Sequence, residues 1–209
     1  MTEFRARDPT RPGFWDERFE ADVTPWDAGG PPPAFARFVA SGRVPTGASV
    51  LIPGCGRAWE VDVLDRAGYR VLAIDFSPAA IARAGARLGA RAGRLLRLAD
   101  FFALDAPPFD WIYERTFLPA LVPELWPAWA GRVAQLTAPQ SLLAGLFFID
   151  PAVQPPSRRG PPFAIRRDEL DALLTAHFEC IQDEAVPAGE SVPVLAGRER
   201  WLTWRRRYL

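Results

Sequence analysis

Between residues 48 and 148 the chain alternates short apolar runs with stretches in which apolar residues return every three or four positions. Ala48 to Ile52 predicts a buried strand. Ala58, Val61 and Leu64 then recur at helical spacing, and Gly68 ends that helix. Tyr69 to Ile74 predicts a second strand. Ser77 before Pro78 supplies an N-cap and a first-turn proline, after which Ile81, Ala84 and Leu88 share one helix face and Arg83 and Arg87 another. Arg94 to Leu98, Trp111 to Tyr113 and Ser141 to Phe148 predict three more strands, with a helix over Glu124 to Leu136 before the last. Strands that alternate with helices in this way imply an α/β fold, Rossmann-like, with a mostly parallel sheet covered on both faces.

The ends depart from this rhythm. Phe14 to Val39 predicts a helical N-terminal arm, with two helices around Thr24-Pro25-Trp26-Asp27. After the proline-rich connector Asp150 to Pro162, a helix over Arg167 to Thr175 leads to two strand-like stretches, Phe178 to Val186 and Arg200 to Tyr208, with no helix between them. Such stretches can pair as antiparallel C-terminal strands. Leu202, Trp204 and Tyr208 alternate with Thr203, Arg205 and Arg207, the pattern of a half-buried strand. The proline clusters at 31–33 and 155–162 read as rigid loops rather than linkers. One domain over 1–209 is expected, with an arm or lid at 14–43 and a sheet core at 48–209.

Composition narrows the function. Arginine and acids balance at 25 each, with no lysine and no asparagine, which fits the codon bias of a GC-rich bacterium. A net charge of zero leaves no electrostatic footprint for nucleic acid, and the Arg205-Arg206-Arg207 cluster reads as a solvated strand edge. No apolar run is long enough to span a membrane, and residues 1–11 lack the apolar stretch of a secretory signal. A cytoplasmic monomer acting on a small molecule is expected. Two cysteines, Cys55 and Cys180, and one histidine, His177, offer no conventional zinc site, so no metal is expected.

The first strand runs into Pro53-Gly54-Cys55-Gly56, at the edge where an open α/β sheet places its ligand. Glycines there admit close approach of the backbone, although a tight turn alone would explain them. The second strand ends at Asp75, 21 residues beyond Gly54 (75 minus 54), and an acid there can accept hydrogen bonds from a ribose diol. Turn and acid together indicate a nucleoside. The dinucleotide fingerprint needs a third glycine where this chain has Trp59, which argues against a pyrophosphate and points to an adenosine without phosphates, S-adenosylmethionine. Asp100 with Phe101-Phe102 adds an acid and a ring where adenine would sit, or a helix cap.

Phe14-Trp15-Asp16-Glu17-Arg18-Phe19, Thr24-Pro25-Trp26-Asp27, Leu51-Ile52-Pro53-Gly54-Cys55-Gly56, Asp75-Phe76-Ser77, Asp100-Phe101-Phe102, Phe109 to Arg115 and Gly160-Pro161-Pro162-Phe163 follow in this order. In that order they resemble the thiopurine S-methyltransferase family, which includes plant halide and thiol methyltransferases. The resemblance covers about residues 14 to 207. It implies a cofactor site in which Trp15, Phe19 and Trp26 close over S-adenosylmethionine, Gly54 meets its amino-acid part, Asp75 its ribose, and Asp100 with Phe101 its adenine, the product being S-adenosylhomocysteine. Phe19 departs from the family's usual tryptophan and loses an indole donor. Glu114 and Arg115 follow the fourth strand where thiopurine enzymes carry an acid–arginine pair, so Glu114 is assigned to the cofactor and Arg115 to catalysis; plant halide enzymes carry tyrosine at the Arg115 place.

The acceptor follows from what is missing. Oxygen and amine acceptors need a general base, and with one histidine and no lysine the chain offers little choice. A thiol, with a pKa of about 8.5, needs less help, and a nearby guanidinium ionises it further. Thiols rank first, thiopurines next and halides third. A catalytically silent module that binds S-adenosylmethionine is the alternative, while Trp59 disfavours a nicotinamide oxidoreductase.

Overall fold

A computed structural model of the chain describes residues 3–154 and 159–208. Seven strands form one sheet: β1 Ser49–Pro53, β2 Arg70–Asp75, β3 Leu96–Leu98, β4 Phe109–Arg115, β5 Thr137–Phe148, β6 Phe178–Ala185 and β7 Glu199–Arg206, in the order β3-β2-β1-β4-β5-β7-β6. The first five are parallel, and β7 pairs antiparallel with both β5 and β6. The helices are α1 Pro12–Glu20, α2 Pro33–Ala40, α3 Trp59–Arg66, α4 Pro78–Leu88, α5 Ala92–Leu95, α6 Trp126–Gln135 and α7 Arg167–Leu174. This is the mostly parallel α/β sheet with antiparallel C-terminal strands that the sequence predicts.

Period-two alternation divides the core. Val50, Ile52, Trp111, Tyr113, Ala144 and Trp201 pack with Phe35 and Phe38 of α2 and with Val61 and Leu64 of α3. The opposite face sends Leu51, Ile112, Leu143, Phe147 and Leu202 against Trp129 and Val133 of α6 and Leu170 and Leu174 of α7. The arm helices α1 and α2 both start on a proline, and Ser77 caps α4 by accepting from Ala80 N at 3.1 Å. No helix among the described residues is long and apolar enough to cross a membrane.

Three expectations change. Residues 92–95 form a helical turn, so β3 is only three residues long. β7 is buried on both faces rather than half-buried, because Trp201 packs on Phe38 of α2 while Leu202 and Trp204 join Leu170 and Leu174 of α7 on the other face: Trp201 and Thr203 are as buried as Leu202 and Trp204, and Tyr208 lies beyond the strand, exposed. The arginine cluster is no sheet edge, since β7 lies between β5 and β6; Arg205 pairs with Glu179, and Arg206 and Arg207 donate to the carbonyls of His177 and Phe178. Residues 155–158 of the proline-rich connector lie outside the described residues.

Gly145 marks the tightest approach between β4 and β5. A Cβ there would stand 1.9 Å from the carbonyl oxygen of Glu114, in backbone with nowhere to move. Gly145→Ala is expected to destabilise the fold by about 1–3 kcal/mol, the range for overpacking, as a lowered midpoint in thermal or urea unfolding. An unchanged midpoint would show that the two strands can separate without loss.

Candidate active site

The carboxyl ends of β1, β2 and β4 open into a cavity of about 630 Å³ roofed by the N-terminal arm. Its floor begins where β1 turns. Gly54 lies in the left-handed region (φ 58°), and a Cβ there would meet the Phe117 ring at 2.5 Å. A side chain would thus be strained both by its backbone and by its neighbour. The amide of Cys55 donates to the Ile74 carbonyl at 2.9 Å, tying the turn to β2.

Asp75, the last residue of β2, is buried at the cavity edge. Its carboxylate accepts from the amides of Gly56 and Ser77, each at 3.0 Å. Burial raises its pKa to about 6 in spite of these bonds, and among the described residues no arginine forms an ion pair with it. Asp75 therefore keeps spare lone pairs and has no paired cation among the described residues, the environment in which neutral hydroxyls are good donors. A ribose diol fits that demand. Asp100 accepts from Phe102 N at 2.9 Å, capping a short 3-10 turn, and also lines the cavity beside the buried Phe101.

The arm supplies the opposite wall. Trp15, Phe19 and Trp26 form an aromatic group, with Trp26 edge-on to Trp15 at 5.5 Å and to Phe19 at 6.0 Å, and all three line the cavity. Phe19 rests 3.5 Å from where a Gly56 Cβ would stand. The Trp15 indole donates to Pro9 O at 2.8 Å. Asp16 fastens α1 to the start of α4, accepting from Ser77 Oγ at 2.5 Å and Ala79 N at 3.1 Å. Asp27 accepts from the Trp59 indole at 2.8 Å and pairs with Arg57 at 3.0 Å, and Arg57 also pairs with Asp22. Trp59, noticed in the sequence only as a bulky residue in place of a glycine, is thus a tether for the arm.

Glu114 and Arg115, adjacent in the sequence and both expected at the cavity, go to opposite faces of β4. Arg115 lines the cavity. Its Nη1 donates to Glu60 Oε1 at 2.9 Å and to Gly30 O at 3.4 Å. Burial works to lower the guanidinium's pKa, but Glu60 and Tyr113 outweigh it and hold the pKa above its ordinary value. Glu114 points to the other side and does not line the cavity; one of its carboxylate oxygens accepts from the amides of Phe117 and Leu118 at 3.0 and 2.9 Å. Burial raises its pKa to about 8. The structure thus places the Glu114 carboxylate beneath the loop that carries Phe117 rather than in the cavity lining. The acid facing Arg115 is Glu60, which the sequence reading passed over. Its place one residue after Trp59, in the first turn of α3, was the available signal.

The strand order, with a short turn after β1 and an acid ending β2, is the fold of the class I methyltransferases. It matches the structure of Burkholderia thailandensis 1,6-didemethyltoxoflavin-N1-methyltransferase with a TM-score of 0.73, at 19% identity, over 99% of this chain and 94% of that one. The thiopurine S-methyltransferase family profile matches residues 10–207. "Probable thiol methyltransferase 2" of Arabidopsis thaliana is 34% identical over 176 residues, covering 81% of this chain and 75% of the relative; thiopurine S-methyltransferase of Bordetella petrii is 27% identical, covering 80% and 83%. The chain belongs to the thiopurine S-methyltransferase family, and with it to the S-adenosylmethionine-dependent methyltransferases.

A carboxylate whose pKa is about 6 must ionise before it accepts from two hydroxyls. Affinity for S-adenosylhomocysteine is therefore expected to rise with pH up to about 6 and to level off above, with binding releasing a proton on the acid side. Asp75→Asn should bind more weakly and lose this dependence. Calorimetry across the range checks both points; the same pH dependence in the variant would assign the titration to another group.

Proposed function

We propose that this chain transfers a methyl group from S-adenosylmethionine to the sulfur of a small thiol, with thiopurines as poorer acceptors and halides poorer still. The observation that carries the reading is the buried Asp75 carboxylate, which forms no ion pair among the described residues at the edge of the aromatic cavity. Relatives named thiol, thiocyanate and thiopurine methyltransferases support sulfur as the acceptor atom.

Bound there, S-adenosylmethionine supplies an electrophilic methyl carbon on a sulfonium. The residues that would hold it are Asp75 at the ribose, Asp100 and Phe101 at the adenine, and the Gly54 turn at the amino-acid part, beneath Trp15, Phe19 and Trp26. Arm residues 14–43 act as the lid of a single catalytic unit, with Gly29-Gly30 as its pivot, and Arg115 anchors that pivot through the Gly30 carbonyl. The aromatic walls exclude water. In a dry site, neutralisation of an anionic nucleophile by a sulfonium is favoured over keeping the two charges apart. Positioning supplies the rest, because an in-line displacement needs alignment more than acid–base help.

Arg115 faces the acceptor with Nη2, which makes no hydrogen bond among the described residues, and favours its thiolate. Glu60 offsets much of that charge, so the acidifying effect is modest and the alignment effect is the larger. Methyl transfer from labelled S-adenosylmethionine to a panel of aliphatic and aromatic thiols, a thiopurine and iodide is expected to rank them in that order. Arg115→Met should slow transfer to thiols most below the thiol's own pKa. Faster turnover of iodide than of any thiol would overturn the reading, and a variant profile parallel to the parent's would remove the acidifying role.

A further inference from the structure

Segment 4–10, ahead of the expected arm, folds back along α1. Glu17 accepts from the amides of Arg5 and Ala6 at 2.8 and 3.0 Å, the Trp15 indole holds Pro9, and Arg7, Pro9 and Thr10 join the cavity wall. This latch brings the Phe4 ring onto Arg18, whose Cζ stands 4.5 Å from the Phe4 centroid and 3.3 Å from that of Phe14. Nη1 of Arg18 donates to the Phe14 carbonyl. The side chain is thus held in one place and lines the cavity.

Its charge is only partly answered. Among the arginines of the cavity wall, Arg57 pairs with Asp22 and Asp27, and Arg115 with Glu60. Arg18 forms no ion pair among the described residues. Glu17, the acid beside it in sequence, has one carboxylate oxygen taken up by the Arg5 and Ala6 amides. Burial lowers the Arg18 pKa; the nearby Glu17 carboxylate works against this, and the like charge of Arg7 adds to it. A guanidinium partly drawn out of water, fixed by stacking and left without an ion pair among the described residues favours a ligand that brings a carboxylate.

We propose that Arg18 is the carboxylate-binding residue of the cavity, a role that rests on the methyltransferase reading above. The carboxylate has two sources, a carboxyl substituent on the acceptor thiol or the amino-acid end of the cofactor. Two arms separate them. In the first, kcat/KM for 4-mercaptobenzoate is compared with that for its methyl ester; in the second, affinity for S-adenosylhomocysteine is compared with that for 5′-methylthioadenosine, which lacks the carboxylate. Arg18→Met is expected to reduce one of these two ratios by about tenfold or more, as loss of a charge-assisted pair implies: the first ratio if the acceptor brings the anion, the second if the cofactor does. Both ratios unchanged in the variant would overturn the proposal. If the variant fails to fold, the parent decides alone, since equal treatment of acid and ester together with equal affinity for the two nucleosides would equally overturn it. A parent that binds S-adenosylhomocysteine but methylates neither thiol contradicts the sulfur reading, while the second arm still judges Arg18.

Discussion

The Asp75 carboxylate is buried where β2 ends, and its charge is offset by backbone amides alone among the contacts described, with burial raising its pKa to about 6. An ionised acid in that position is tolerable because Gly56 and Ser77 belong to the two turns that the sheet brings together after β1 and after β2. Much of the surrounding structure serves to keep it so. Ser77 caps α4 with its side chain while its amide holds Asp75, and the same hydroxyl donates to Asp16 of the arm. One serine thus links the acid, the helix behind it and the N-terminal arm in front of it. Gly54 and Gly56, both at positive φ, keep the turn close enough to β2 for the amide of Gly56 to reach the acid.

A second arrangement governs the wall of the cavity beyond β4. Gly54 leaves room for Phe117, which packs 5.1 Å from Phe101, and Glu114 holds the Phe117 loop from beneath through two amides. Arg115, its neighbour in sequence, instead faces Glu60 and the Gly30 carbonyl. The two adjacent residues therefore act on different walls of one cavity, Glu114 by shaping a loop and Arg115 by joining the arm to the sheet.

The fold was legible because strands and helices alternate with clear periods, and because local chemistry, such as Ser77-Pro78, marks a helix start without outside help. That Gly54, Asp75 and Asp100 come to one cavity was legible for a related reason: each lies at or just past a strand end, which the topology alone carries to one edge. What the sequence did not disclose depends on pairs formed across long separations. Glu60 meets Arg115 over 55 positions and Asp27 meets Trp59 over 32, and nothing local in either segment announces its partner. The double burial of β7 was hidden because it depends on which helices come to cover its two faces. The split of Glu114 from Arg115 is legible in the sequence, since successive residues of a strand face opposite ways.

The central claim is that Asp75 is the group around which the cofactor is placed. A crystal structure of the chain with S-adenosylhomocysteine tests it most directly. The account predicts both ribose hydroxyls donating to the Asp75 carboxylate, with the Gly56 and Ser77 amides still in place and the adenine beside Phe101. A ribose bound elsewhere, with Asp75 holding only those two amides, would contradict it.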